Sequence, residues 1–129
     1  MIEFPFDCVA DTSAVIASLR DPELPPLRDV RYALAFVSCA ELWLGVLKAT
    51  DPAKAAAQLS PWVTNRTMLS PNPLTPALYA LAVKQLQDQG QMIPVNDLWI
   101  AILAIQAGVP LLARDEHFAR VPGLHLIRV

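Results

Sequence analysis

Phe6-Asp7-Cys8-Val9-Ala10-Asp11-Thr12-Ser13, residues 6–13, carries the first change of backbone period in the chain. Phe6–Ala10 reads as a buried strand, short, apolar and ended by the acid Asp11. Ser13 then has the hydroxyl to cap a helix over Ala14–Leu19 by accepting from a free amide of its first turn. Asp21-Pro22-Glu23-Leu24-Pro25-Pro26 breaks that pattern and must be a loop. Leu34–Val37 reads as a second buried strand, and Cys39–Ala49 as a helix with Leu42 and Val46 on one face.

The alternation continues downstream. Asp51-Pro52 marks a helix start, Asp as cap and Pro at the first helical position, with Ala53, Ala56, Ala57 and Leu59 preceding Pro61. Thr67-Met68-Leu69 reads as a short strand, and Pro71 and Pro73 punctuate a loop. Thr75-Pro76 repeats the cap-plus-proline signal for a helix through Gln89, closed by Gly90. Pro94–Ala107 is the most apolar helix, closed by Gly108. Pro110–Ala113 reads as a strand, Asp115–Arg120 as a short helix and Leu124–Val129 as the final strand. Strands alternating with helices predict an α/β fold, a three-layer α/β/α sandwich around a central parallel sheet of about five strands. No repeat or low-complexity segment divides the 129 residues, so one domain over 1–129 is expected.

Composition narrows the function classes. The formal net charge is −2, which argues against nucleic-acid binding driven by bulk charge. Leu98–Ile105 and Ala33–Ala40 are the longest apolar stretches and too short to span a bilayer. Met1-Ile2-Glu3 lacks the basic start of a secretory signal, so a cytoplasmic protein without a membrane partner is expected. Cys8 and Cys39 fall in strand-like segments and read as small buried hydrophobes, without the spacing of a disulfide framework or a zinc site.

Four acids stand at the edges of apolar runs: Asp11, Glu41, Asp97 and Asp115. A carboxylate is rarely placed there unless it is paired or binds a metal. Asp11, Glu41 and Asp115 follow predicted strands, at the sheet edge where α/β proteins bind ligands. Asp97 sits in the first turn of a helix, where the dipole favours an anion. One rim can collect all of them, and an all-oxygen set suits Mg2+ or Mn2+ and metal-assisted phosphodiester chemistry.

Each acid also has a plain structural reading. Asp11 is then a strand-end cap, Glu41 a neutralised buried acid, Asp97 a first-turn acid behind the cap Asn96, and Asp115 an N-cap. Arg114 and Arg120 flank the proposed rim and are the candidates for phosphate contact. His117 reads as a packing or structural residue, and Trp43 and Trp99 as core or interface packing.

Val9-Ala10-Asp11-Thr12-Ser13, Ser38-Cys39-Ala40-Glu41-Leu42-Trp43, Asn96-Asp97-Leu98-Trp99-Ile100-Ala101 and Arg114-Asp115-Glu116-His117-Phe118 occur in that order along nearly the whole chain. With Gly108 and the terminal Gly123-Leu124-His125-Leu126 segment, the sequence resembles PIN-domain ribonucleases, particularly the VapC-like toxins of bacterial toxin–antitoxin pairs. The resemblance implies an endoribonuclease that hydrolyses RNA phosphodiester bonds with Mg2+ or Mn2+, and an antitoxin partner encoded alongside. Asp11, Glu41, Asp97 and Asp115 fall on the acidic positions of that family, and Thr12 on its hydroxyl position. The family usually carries Thr or Ser directly before the Arg-Asp pair, where this chain has Ala113, which leaves Asp115 without that hydroxyl.

Rival readings fit less well. A haloacid-dehalogenase pattern wants a second Asp where Ser13 stands, and a receiver domain wants a late Lys, yet none follows Lys84. A catalytically silent PIN-fold scaffold is the alternative of a different class. The alanine-rich segments Ala53–Leu59 and Ala77–Val83, with Trp43, predict apolar surface for a homodimer and a groove near the second helix for an apolar antitoxin segment.

Overall fold

The first, second and fourth strands of the central sheet pass almost directly into a helical segment, and none of their residues is exposed. In a computed structural model describing residues 6–24 and 27–129, the strands are Cys8–Ala10 (β1), Tyr32–Ala35 (β2), Met68–Leu69 (β3), Leu111–Ala113 (β4) and Leu126–Arg128 (β5). The helices are Thr12–Arg20 (α1), Phe36–Leu47 (α2), Pro52–Thr64 (α3), Thr75–Asp88 (α4) and Val95–Ala107 (α5), with 3-10 turns at Leu27–Asp29 and Glu116–Arg120. Met1-Ile2-Glu3 and the Pro25-Pro26 part of the expected loop lie outside the described residues.

The sheet is five-stranded and parallel in the order β3-β2-β1-β4-β5. Every residue of β1, β2 and β4 is buried, the continuous apolar reading of strands covered on both faces. Alternate side chains serve opposite layers. Val9, Ala35, Leu111 and Ala113 join the core under α4 and α5, whereas Cys8, Ala10, Tyr32, Leu34 and Leu112 join the core under α1, α2 and α3. The α/β/α sandwich read from the sequence is therefore the observed one. Helix α5 is buried over most of its circumference, with Leu98, Ile100 and Ile102 at 0%, 0% and 2% exposure. Each such side chain contributes about 1.5–3 kcal/mol by leaving water.

Chain order reverses direction at β1, which lies between β2 and β4. The crevice beyond the carboxyl ends of β1 and β4 is thus the topological switch point, the usual ligand site of such sheets. Gly90 and Gly108 sit at positive φ after α4 and α5, at 65° and 72°, where the chain turns back to close the helix.

Several boundaries differ from expectation for local reasons. Helix α2 begins at Phe36 rather than Cys39, so Val37 and Cys39 are helical, although both remain buried. Helix α3 runs through Pro61 to Thr64 instead of ending before it. The carbonyl that Pro61 leaves unbonded belongs to exposed Ala57 and can be met by water, so the usual penalty is reduced. Asn96 is not the cap of α5; that position is Pro94, and Asn96 lies inside the first turn.

Candidate active site

Asp11 stands one residue beyond β1, and its backbone N–H donates to the Leu112 carbonyl at 2.9 Å, fixing it to the neighbouring strand. Its Oδ1 accepts from the Ala14 amide at 2.9 Å, while the Ser13 hydroxyl donates to both carboxylate oxygens at 3.0 and 2.9 Å. Asp11, not Ser13, is therefore the N-cap of α1. The cap must be the last extended residue, and the strand ends at Asp11; Ser13 already lies inside the helix and turns its hydroxyl back. The side chain is 5% exposed. That burial pushes its pKa up, the Ala14 and Ser13 donors pull it down, and the charge of Asp97 adds to the rise.

Thr12 joins the first two helices. Its Oγ1 lies 2.7 Å from Glu41 Oε1 and 3.1 Å from Ser38 Oγ, so its proton is best donated to the carboxylate. Glu41 is half-buried in the second turn of α2, and Ser38, one turn earlier, is fully buried. Ser38 did not figure among the candidates of the sequence, although its spacing of three residues from Glu41 placed both on one helix face.

Asp97 and Asp115 meet through His117. His117 Nδ1 lies 3.1 Å from Asp115 Oδ1 and Nε2 lies 2.8 Å from Asp97 Oδ2, ring contacts that become ion pairs when the imidazole carries its second proton. Asp115 Oδ1 also accepts from the His117 amide at 3.0 Å, which makes Asp115 the cap of the 3-10 turn. The imidazole rests against the Phe118 ring at 4.8 Å. The structural reading of His117 thus acquires content that the sequence did not show: it links the first turn of α5 to the end of β4. The clue was only its spacing of two residues from Asp115.

This arrangement alters the expectation attached to Ala113. Asp115 is already held twice by His117, and Ala113 is fully buried in the core beside Leu98, Ala101 and Phe118. Ala113→Thr is therefore expected to lower stability by about 1–3 kcal/mol through overpacking without tightening metal binding. Thermal denaturation together with a metal titration would check this; a tighter metal site would show that the missing hydroxyl matters.

The acids thus face one edge of the sheet in two linked groups, Asp11 with Thr12 and Glu41, and Asp97 with His117 and Asp115, coupled through the Asp11–Asp97 repulsion. No three described His, Cys, Asp or Glu side chains are already drawn into a cluster that could hold a metal ion. Asp11, Glu41 and Asp115 have instead taken hydrogen-bond donors from the protein, while Asp97 rests against the His117 ring. The donor chemistry nonetheless fits a hard divalent cation: carboxylate oxygens, one of them buried and destabilised by its neighbour's charge.

The other candidates separate clearly. Arg120 donates to the Met92 carbonyl at 3.3 Å, whereas Arg114 makes no ion pair among the described residues. Burial pushes Cys8 up to about 11 and raises Cys39 as well, so neither thiol is a poised nucleophile.

The chain matches the PIN domain family over residues 8–124. It belongs to the PIN-domain family. Ribonuclease VapC4 of Mycobacterium tuberculosis is 31% identical over 126 residues, covering 94% of this chain and 95% of that protein. Ribonuclease VapC5 of the same organism is 32% identical, covering 94% of each. Among solved structures, VapBC-5 from Mycobacterium tuberculosis, a member of the VapBC family of toxin-antitoxin systems, has a TM-score of 0.77 at 32% identity, over 97% of this chain and 100% of that one. DNA-bound VapBC from Salmonella typhimurium reaches a TM-score of 0.86 at 18% identity over 95% and 98% of the chains, a likeness of fold alone. The PIN fold explains why Asp11 and Asp115 emerge side by side: they follow adjacent parallel strands at the switch point.

Proposed function

We propose that this PIN-domain protein is a divalent-metal-dependent endoribonuclease and the toxin of a toxin–antitoxin pair. The observation that carries the reading is the pair Asp97 and Asp115 on either side of His117, beside the buried Asp11, in a chain whose relatives include ribonucleases VapC4 and VapC5. Asp11, Glu41, Asp97 and Asp115 would hold Mg2+ or Mn2+. The chemistry such an ion supplies is Lewis-acid polarisation of a phosphodiester and acidification of a water. The protein's own part is orientation. Ser13 fixes the Asp11 carboxylate, Thr12 fixes Glu41, and His117 steadies Asp97 and Asp115. Arg114 and Arg120 are the cations available to phosphate on the Asp115 side.

Two surfaces support the partners. A cavity of about 380 Å3 is lined by Leu19, Leu42, Gly45, Val46, Leu59 and Trp62, in reach of α1, α2 and α3, and suits an apolar antitoxin segment. Leu74, Leu81, Met92 and Val95 are exposed on and beside α4 and α5 and suit a second copy of the chain. No helix of the described residues is long and apolar enough to cross a membrane, and an RNA substrate with a protein inhibitor fits the cytoplasm.

The test is incubation of the purified chain with RNA and Mg2+ or Mn2+, then with the product of the adjacent gene titrated in. Internal cuts that disappear as the partner is added are expected. A chain that stays monomeric at high concentration in light scattering would refute the homodimer. Intact RNA under every metal condition would leave the silent scaffold as the better reading.

A further inference from the structure

Beside Ser13, which holds Asp11, a second cavity of about 440 Å3 opens along the outer face of α1. Ile16, Ala17 and Leu24 give it an apolar floor, and Arg20 and Arg114 line it as well. Ser13, Ile16, Ala17 and Arg20 recur at helical spacing, so this wall is a single stripe of α1. At 1.5 Å rise per residue, Arg20 lies about 10 Å along the helix from Ser13. Arg114 comes from the other side, immediately before Asp115 at the end of β4.

The two arginines belong to the cations that have no carboxylate partner among the described residues. Arg28, Arg31, Lys84 and Arg128 each pair with a carboxylate, whereas neither Arg20 nor Arg114 does so among the described residues. Asp21 shares the rim, but its Oδ1 accepts from the Glu23 amide in its own loop. In a chain of net charge −2, two unpaired guanidiniums over an apolar floor, joined to the buried acid through Ser13, are complementary to a phosphate with its sugar or base. An apolar protein segment would not need the cations, and a basic one would be repelled.

We propose that this cavity is the subsite for the RNA nucleotide flanking the cut. Arg114 and Arg20 contact the backbone phosphates, and Ile16 and Leu24 lie against the ribose or base. RNA therefore leaves the acids along α1, and Arg20 is a substrate-positioning residue. This rests on the ribonuclease reading above and adds the path of the strand.

Fluorescence anisotropy of a labelled random-sequence single-stranded RNA, with the chain held in chelator to prevent cleavage, tests it across a salt series. Arg20→Gln and Arg114→Gln are each expected to weaken binding about fivefold near 0.1 M salt and to lower the salt slope by about 0.7, the double variant by about 1.4. Lys84→Gln, on α4, should change neither. With metal restored, Arg20→Gln should raise KM and keep kcat, and circular dichroism should match the wild type. A double variant that keeps the wild-type slope, or a Lys84→Gln variant that loses as much, overturns the subsite. If the wild type still cleaves RNA in that case, the ribonuclease reading stands; a wild type that neither binds nor cleaves RNA overturns both.

Discussion

Asp11→Asn is expected to lower RNA cleavage by about 10²–10³-fold or more while leaving the protein folded and no less stable. The two effects separate because Asp11 has two roles. As the N-cap of α1 it accepts the Ala14 amide through Oδ1, and Asn caps as well as Asp does. As a buried carboxylate beside Asp97 it carries a charge that the folded, metal-free chain tolerates poorly, and its pKa is raised mainly by burial. Between its ordinary value of 3.8 and that raised value the folded state binds more protons than the unfolded state. Asp11 therefore lowers stability as pH rises through that window, and the deficit persists above it.

Asn carries no such deficit. In chelator at neutral pH the Asn variant should melt at or above the wild type, and the advantage should vanish below about pH 3.8. Asp11→Ala loses the cap as well and should give up about 1 kcal/mol of helix support relative to Asn. Calorimetry of the variants at acid and neutral pH, beside an RNA cleavage assay, would decide it. A large fall in Tm for Asn with cleavage retained would mean that Asp11 is a cap and nothing more.

Thorough chelation should abolish cleavage, and Mn2+ or Mg2+ added back should restore it. Two unit charges ~4 Å apart at a partly solvated site repel by about 4 kcal/mol, so a cation among these acids stabilises the folded chain as well as the reaction. A ligand at a hundred times its Kd contributes about 2.7 kcal/mol to folding stability. Saturating Mn2+ is accordingly expected to raise Tm by several degrees in the wild type and much less in Asp11→Asn. This reading does not depend on turnover. Cleavage that survives chelation, or equal Tm shifts in both proteins, would contradict metal binding at Asp11.

Much of this was legible along the chain because its signals are local. Strand apolarity, the Asp51-Pro52 start, and the glycines after α4 and α5 concern a few consecutive residues whose backbone preferences are set by sterics and by hydrogen bonds close in sequence. The alternation of such elements restricts the topology to a parallel sheet with helices on both faces, and with it the edge on which Asp11 and Asp115 emerge, whereas Glu41, expected just beyond a strand, lies in the second turn of α2. Boundaries read less well where a tertiary contact replaced a local signal. Helix α2 starts at Phe36 without a side-chain cap because the preceding strand already fixes the direction of the chain.

What only the tertiary structure decided were the partners across elements. Nothing near Thr12 in sequence shows that its hydroxyl would meet Glu41, 29 residues away. Nor does Asp115-Glu116-His117 reveal that the imidazole would reach Asp97 on another helix. The assignment of the α1 cap to Asp11 over Ser13 depended on where β1 stopped, and that was set by pairing with β2 and β4. The physical reason is common to all three. Side-chain type sets what a group can donate or accept, but which group answers it is set by the sheet register and by the packing of helices that share no sequence neighbourhood.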